Sequence, residues 1–221
     1  MKAFSQLEGP AYLILQTQRK IKEVFPEYVS LCNNLKSEGK LEIIEQTVGA
    51  PGLYHLTDVY VYPSRLDGIG LTTAEALACG LPVITSNNAP MNEFISEESG
   101  KLVNIARFYP KGDGYYWPQC VVDVEHLKAC MQEFVDDSHK LVHYKTKARQ
   151  SALKKWNWEQ NSASVNQLFE SSYLIPYEKK QILFQKAIAI DKKRRLKRKS
   201  IYYLKSTFPN ICKFIKEKTK K

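Results

Sequence analysis

Residues 62–84 read Tyr62-Pro63-Ser64-Arg65-Leu66-Asp67-Gly68-Ile69-Gly70-Leu71-Thr72-Thr73-Ala74-Glu75-Ala76-Leu77-Ala78-Cys79-Gly80-Leu81-Pro82-Val83-Ile84. Two carboxylates, Asp67 and Glu75, flank a loop with glycine at positions 68 and 70. Glycine admits backbone conformations and close approaches that a Cβ forbids. A strand ending at Pro63 feeds this loop, and the loop feeds a helix. The first amides of that helix, at Leu71, Thr72 and Thr73, have no carbonyl partner within it. They point outward, where the helix dipole favours negative charge. Binding of a diphosphate is the chemistry this arrangement serves. The same residues admit a structural role, because Thr72-x-x-Glu75 is also a capping box, with Thr72 as N-cap and Glu75 folded back onto its amide.

The elements that must position this stretch alternate short apolar runs with helical spacing. Residues 12–15, 41–44, 59–62 and 82–85 read as buried strands. Ile21, Val24, Tyr28, Leu31 and Leu35 give residues 20–35 a helical period, and a short helix over 53–57 precedes the third strand. Residues 72–79 form a helix ended by Gly80 at the position after its C-cap. Short strands separated by helices specify an α/β fold with a doubly wound parallel sheet covered on both faces. In such a sheet the glycine loop lies at the carboxyl ends of the strands, where ligands bind. Residues 124–134, 140–155 and 159–173 are helical by pattern. Residues 104–118, with Gly112, Gly114 and Tyr115-Tyr116-Trp117, read as a long loop that is either an insertion or a functional lid.

Here the chain resembles the family 4 glycosyltransferases, retaining enzymes of the GT-B fold. The likeness is carried by Asp67-x7-Glu75 within PSRLDGIGLTTAEALACGLPVI, by LYHLTDVYVYPS upstream, and by SNNAPMNEFI and SGKLV downstream. It extends over residues 3–175 and is most specific over 53–103. It implies one Rossmann-like half of a GT-B enzyme, the C-terminal half that binds a nucleoside diphosphate sugar. By this resemblance Glu75 accepts hydrogen bonds from the ribose hydroxyls and Asp67 lies beside the donor sugar. The loop at Gly68 and the amides of Ile69, Gly70, Leu71 and Thr72 hold sugar and diphosphate. Glu93, in Asn92-Glu93-Phe94, matches a further family glutamate near the sugar, or is simply a first-turn helix charge. Trp156 and Trp158 resemble an aromatic landmark and read as core. The family usually has Glu where this chain has Asp67, one methylene shorter. Transfer in this family needs no metal, and no cofactor is expected.

The family's C-terminal half opens with a strand and a helix bearing an Arg and a Lys that neutralise the diphosphate. Residues 1–4 match the end of that helix, while Lys2, Arg19 and Lys20 stand in other contexts. The basic pair and the acceptor-binding N-terminal half are therefore expected from a longer gene product or from a partner subunit. The alternative is a non-catalytic protein that keeps nucleotide-sugar binding or serves as an adaptor. Among lesser candidates, Arg65 either steers phosphate or is solvated, and His55 caps or packs near the nucleotide. The aromatic run at 115–117 covers sugar or acceptor, or packs its own loop.

Composition sets outer bounds. With 43% hydrophobic and 11% aromatic residues in 221, the chain can form one α/β domain plus an appendage. Residues 1–15 lack the pattern of a secretory signal, and no run approaches the ~20 apolar residues of a membrane span. Cys32, Cys79, Cys120, Cys130 and Cys212 are scattered, with no CxxC pair, as in reduced cytosolic proteins without structural zinc. Charge divides the chain into a domain over 1–175 and a basic tail over 176–221. The first part holds 17 Lys+Arg against 20 Asp+Glu, and the second holds 16 against 3. The tail reads as an amphipathic helix over 178–199, apolar at Ile182, Leu183, Phe184, Ile188 and Ile190 ahead of Lys192-Lys193-Arg194-Arg195-Leu196-Lys197-Arg198-Lys199. Leu204, Phe208, Ile211, Cys212 and Ile215 continue it. Such a tail suits an anionic membrane surface, with the protein cytoplasmic and peripheral. A solvated tail is the alternative. Nucleic acid ranks behind both, because no nucleic-acid-binding module is legible.

Overall fold

The computed structural model describes residues 1–112 and 114–207, and beyond Ser200 it describes the side chain of Tyr203 only. The tail pattern from Leu204 to Ile215 lies outside these described side chains. The chain divides into two compact units, residues 1–161 and 162–221. The first unit ends ahead of the charge boundary after Ile175.

The first unit begins with a 3₁₀ turn at Phe4–Gln6, then strand β1 at Leu13–Gln16. Helical spacing over 20–35 predicts one helix, but the chain forms α1 at Ile21–Val24, a 3₁₀ turn at Pro26–Tyr28 and α2 at Val29–Ser37. Pro26 is the reason. Its ring drives Phe25 out of helical geometry, to φ −138° and ψ 62°, so the period survives while the helix breaks. Strand β2 follows at Leu41–Ile44, then a 3₁₀ turn at Tyr54–Leu56 and β3 at Tyr60–Tyr62. Helix α3 spans Leu71–Ala78, and β4 spans Val83–Ser86. Gly80, at φ 76°, ends α3 with its amide on Leu77 O while the Leu81 amide bonds Ala76 O.

A 3₁₀ turn at Met91–Glu93 leads to β5 at Gly100–Val103. The long loop read over 104–118 is largely a hairpin. Strands β6, Ile105–Pro110, and β7, Pro118–Val122, pair antiparallel with a bulge between Ile105 and Arg107. Pro110 and Pro118 obscure it in the sequence because proline reads as a strand breaker. They face each other at the turn end of the ladder as a pair that exchanges no backbone hydrogen bonds, and the next bond beyond them runs from the Lys111 amide to Trp117 O at 2.8 Å. Helices α4, Val124–Asp136, and α5, Ser138–Lys155, close the domain. The helix expected over 159–173 is two short ones, α6 at Trp158–Ser162 and α7 at Val165–Ser171.

The parallel strands bond as β1–β2 and as β3–β4–β5. Alternation along the second group serves two cores. Tyr60, Val83 and Leu102 pack with α3 and α5, around Ala76, Leu77, Ala148 and Ala152. Val61, Ile84 and Val103 pack instead with α2 and α4, through Leu35, Leu127 and Phe134, and with Leu13 and Leu15 of β1. Both faces of the sheet are thus covered, as a doubly wound fold requires. Strand β4 is the centre, with all four residues fully buried.

The second unit contains α7 and the 31-residue helix α8, Tyr177–Thr207. Its apolar residues do not form one stripe. Ile182, Leu183 and Phe184 are consecutive, so steps of about 100° send them to three sides, and all are exposed. Segregation runs along the axis instead, with apolar residues over 182–190 and basic ones over 192–199. No helix among the described residues is long and apolar enough to cross a membrane.

Candidate functional site

The site lies where β3 ends and α3 begins. Gly70, at φ 78°, turns the chain into α3 in a left-handed conformation. A Cβ there would meet Met91 Cε at 2.2 Å. Gly68 needs no such explanation, because a Cβ added to it would meet nothing within 4 Å. Gly70 is the N-cap and its carbonyl accepts from the Thr73 and Ala74 amides, so the capping box read at Thr72 and Glu75 does not form. Helix α3 starts one residue ahead of Thr72. The amides of Leu71 and Thr72 belong to its first turn, where a helix offers no carbonyl, and no backbone bond among the described residues takes them.

The two carboxylates are held differently. Asp67 Oδ1 accepts the amides of Ile69 at 3.2 Å and Gly70 at 2.9 Å, and Oδ2 accepts the Tyr62 hydroxyl at 2.7 Å. Burial alone would raise the pKa of Asp67, but these donors outweigh it and hold the carboxyl below its ordinary 3.8. The resemblance assigned the Ile69 and Gly70 amides to the ligand; here they bond to Asp67. Glu75 is exposed on α3, and its Oε2 accepts the Tyr54 hydroxyl at 2.7 Å. Burial first, and then this hydrogen bond, raise the pKa of Tyr54 well above the ordinary phenol range. Thr72 Oγ1 is buried without a hydrogen bond of good geometry, near the Tyr60 and Tyr62 phenols.

Other parts of the fold fix the loop from below. Thr85 and Ser86, fully buried at the end of β4, donate to the carbonyls of Tyr62 and Ser64, each at 2.7 Å. The β6–β7 hairpin reaches the same loop. Cys120 bonds Arg65 O through its amide at 2.8 Å and Ser64 O through its thiol at 3.2 Å, and Arg65 Nη1 donates to Tyr109 Oη at 3.3 Å. Arg65 therefore ties the hairpin to the glycine loop. The hairpin tip carries exposed Tyr115, Tyr116 and Trp117, with Tyr116 at φ 57°.

Glu93 is exposed at the end of its 3₁₀ turn, and its carbonyl accepts the Lys155 ammonium. Met91 of that turn touches Gly70, so Glu93 stands beside the loop. His55 is exposed on the 3₁₀ turn before β3. Trp156 is half-exposed and stacks on buried Phe94, with ring centroids 4.7 Å apart. Trp158, 80% exposed, is not core. The residue after a helix C-terminus can turn either way, and Trp158 begins α6 on the solvent side. Tyr54, Tyr62, Thr85, Ser86 and Cys120 were missed as supports. The alternation Tyr60-Val61-Tyr62, which puts both phenols on the α3 face, was the available signal for Tyr62.

Residues 27–151, more than half of the chain, match the family model for glycosyl transferases group 1. The chain belongs to that family. The group 1 domain contains β2 to β7 and α2 to α4 complete, and therefore the whole glycine loop and both carboxylates. It is 23% identical over 135 residues to the lipopolysaccharide core biosynthesis mannosyltransferase LpsB of Rhizobium meliloti (strain 1021), covering 60% of this chain and 34% of that protein. It is 40% identical over 47 residues to the O-antigen chain mannosyltransferase B of Escherichia coli, covering 21% of this chain and 12% of that protein. The chain thus spans about a third or less of these relatives. Among solved structures, Anabaena Alr3699/HepE in complex with UDP and glucose superposes at a TM-score of 0.60 with 16% identity, over 77% of this chain and 43% of that one. WaaG, a glycosyltransferase involved in lipopolysaccharide biosynthesis, superposes at 0.56 with 16% identity, over 74% and 41%. These two likenesses show the GT-B fold.

Proposed function

We propose that residues 1–161 are the donor half of a glycosyltransferase that moves a hexosyl group from a nucleoside diphosphate sugar, with retention at the anomeric carbon. The observation that carries this reading is the start of α3. Left-handed Gly70 opens a helix whose Leu71 and Thr72 amides have no carbonyl partner within it, with the Glu75 carboxylate one turn further on and, among the described residues, one oxygen engaged. Family membership supports it, as do the UDP complexes of a fold neighbour. The Leu71 and Thr72 amides stabilise charge that builds on the leaving diphosphate, and Glu75 grips the ribose hydroxyls. Preformed dipoles need no reorganisation as that charge develops.

Acceptor binding and the rest of the catalytic surface come from an N-terminal half, in the same polypeptide or in a partner subunit. The short span of this chain against its relatives supports that. The deciding measurement is calorimetric titration of the full chain with UDP and GDP, repeated with Glu75→Ala. Binding by the parent and a loss of about tenfold or more in the variant is the expected result, since a hydrogen bond to a charged group contributes about 1.5–3 kcal/mol. Equal affinity in parent and variant, with the fold intact, refutes the site.

A second reading is an adaptor that keeps the fold without turnover. The inward engagement of both Asp67 oxygens favours it. Donor turnover in the presence of the N-terminal half would end it. In either case the tail is proposed to hold the protein peripherally on an anionic membrane from the cytoplasmic side. Its support is the basic run at 192–199 beside the exposed apolar collar at 182–190.

A further inference from the structure

Strand β3 presents tyrosine to α3 and valine to the opposite core. Tyr60 stacks on Tyr62 at 5.7 Å between ring centroids, and Tyr54 meets Tyr60 edge-on at 5.6 Å. The three rings form a row beneath the start of α3. Two of their hydroxyls end on the two signature carboxylates, Tyr54 on Glu75 and Tyr62 on Asp67, each at 2.7 Å.

The carboxylates are not equivalent. Asp67 has both oxygens engaged, one by loop amides and one by Tyr62. Its Oδ1 cannot leave the loop amides without undoing the turn that delivers Gly70 to α3, and its Oδ2 is held by the Tyr62 hydroxyl. Glu75 has Oε2 on Tyr54, and no bond among the described residues takes Oε1. We infer that Tyr54 and Tyr62 are positioning residues with divided tasks: Tyr62, through Asp67, shapes the loop that receives the diphosphate, and Tyr54 aims Glu75 at the ribose. The inference rests on the function proposed above. It departs from a direct sugar contact by Asp67.

Phenols suit this task physically. A lysine or arginine in the same place would steer a carboxylate while cancelling its charge. A phenol donates one directed hydrogen bond and leaves the charge for the ligand hydroxyl. Burial, then the bonds to Glu75 and Asp67, keep Tyr54 and Tyr62 protonated donors throughout the physiological range. The row of packed rings limits how far either hydroxyl can swing.

The test is titration of the full chain with UDP, GDP and their 2′-deoxy forms. Parent protein should prefer the ribonucleotide about tenfold or more, the worth of one hydroxyl bonded to a carboxylate. Tyr54→Phe should cut that preference at least threefold, and should add nothing in a Glu75→Gln background, where the aimed carboxylate is already gone. Tyr62→Phe and Asp67→Asn should weaken ribo- and deoxynucleotide by the same factor and leave the preference intact. Thermal midpoints of the Phe variants, measured alongside, separate aiming from loss of fold, because unfolding weakens both nucleotides equally. A parent chain that binds neither UDP nor GDP overturns the proposed function and this inference together. Normal binding with an unaltered preference in Tyr54→Phe, or an altered preference in Tyr62→Phe, overturns the inference alone.

Discussion

Met91 and Gly70 share one space: a Cβ on residue 70 would sit 2.2 Å from Met91 Cε, and Met91 itself is 2% exposed. The φ of 78° at Gly70 is a second, independent constraint on that position. Gly70→Ala should therefore lower stability by about 2–5 kcal/mol, combining a left-handed residue at about 1–2 with overpacking at about 1–3. Gly68→Ala, with open space around it, should change stability by about 0.5 kcal/mol or less. Denaturant midpoints of the two variants check this. Similar losses in both would contradict the assigned geometry.

Acid should expose the role of Asp67. Its folded pKa is depressed below 3.8, so its contribution is complete above the ordinary carboxylate pKa and disappears as pH falls through the folded value. Asp67→Asn should thus be less stable than the parent at neutral pH, with the two converging below about pH 3.8. Unfolding curves at pH 7, 5 and 3 measure the gap. A gap of constant size across that range would mean that ionised Asp67 does not hold the loop.

The two C-terminal tryptophans of the first unit should behave differently. Trp156 stacks on buried Phe94 at an interplanar angle of 18°. Trp156→Ala should cost about 1.5–3 kcal/mol through lost stacking and apolar burial. Trp158→Ala should cost about 0.5 kcal/mol or less, since Trp158 is 80% exposed. Thermal midpoints of the pair settle their order, and equal shifts would show that Trp158 packs more tightly than its exposure implies.

For the tail, replacing Lys192, Lys193, Arg194 and Arg195 with Gln should lower co-sedimentation with anionic vesicles at least tenfold. Each basic group at an anionic surface contributes about 1 kcal/mol. Binding of the parent should also fall with added salt and be weak on zwitterionic vesicles. Salt-independent binding, or equal binding by parent and variant, would point to the apolar collar at 182–190 as the contact.

Much of the fold was legible in the sequence. Four apolar runs marked β1 to β4, the helical period marked α4 and α5, and Gly80 marked the end of α3. The errors came where one residue outweighed a pattern. Pro26 broke a helix whose period continued past it, and Pro110 and Pro118 hid a hairpin by resembling breakers beside its turn. Burial of Trp158 was read from its likeness to the family's aromatic landmark, yet position relative to the end of α5 decided it.

The sequence by itself determined that a glycine turn feeds a helix start with Glu75 one turn later. Those are local matters, governed by sterics and hydrogen bonding over a few residues. Only the tertiary structure decided what each carboxylate faces. Tyr54 reaches Glu75 across 21 positions, and Cys120 reaches Ser64 across 56. Contacts at such separations depend on how strands and helices stack. One hydrophobic pattern is compatible with many stackings, and the full set of packed side chains selects among them.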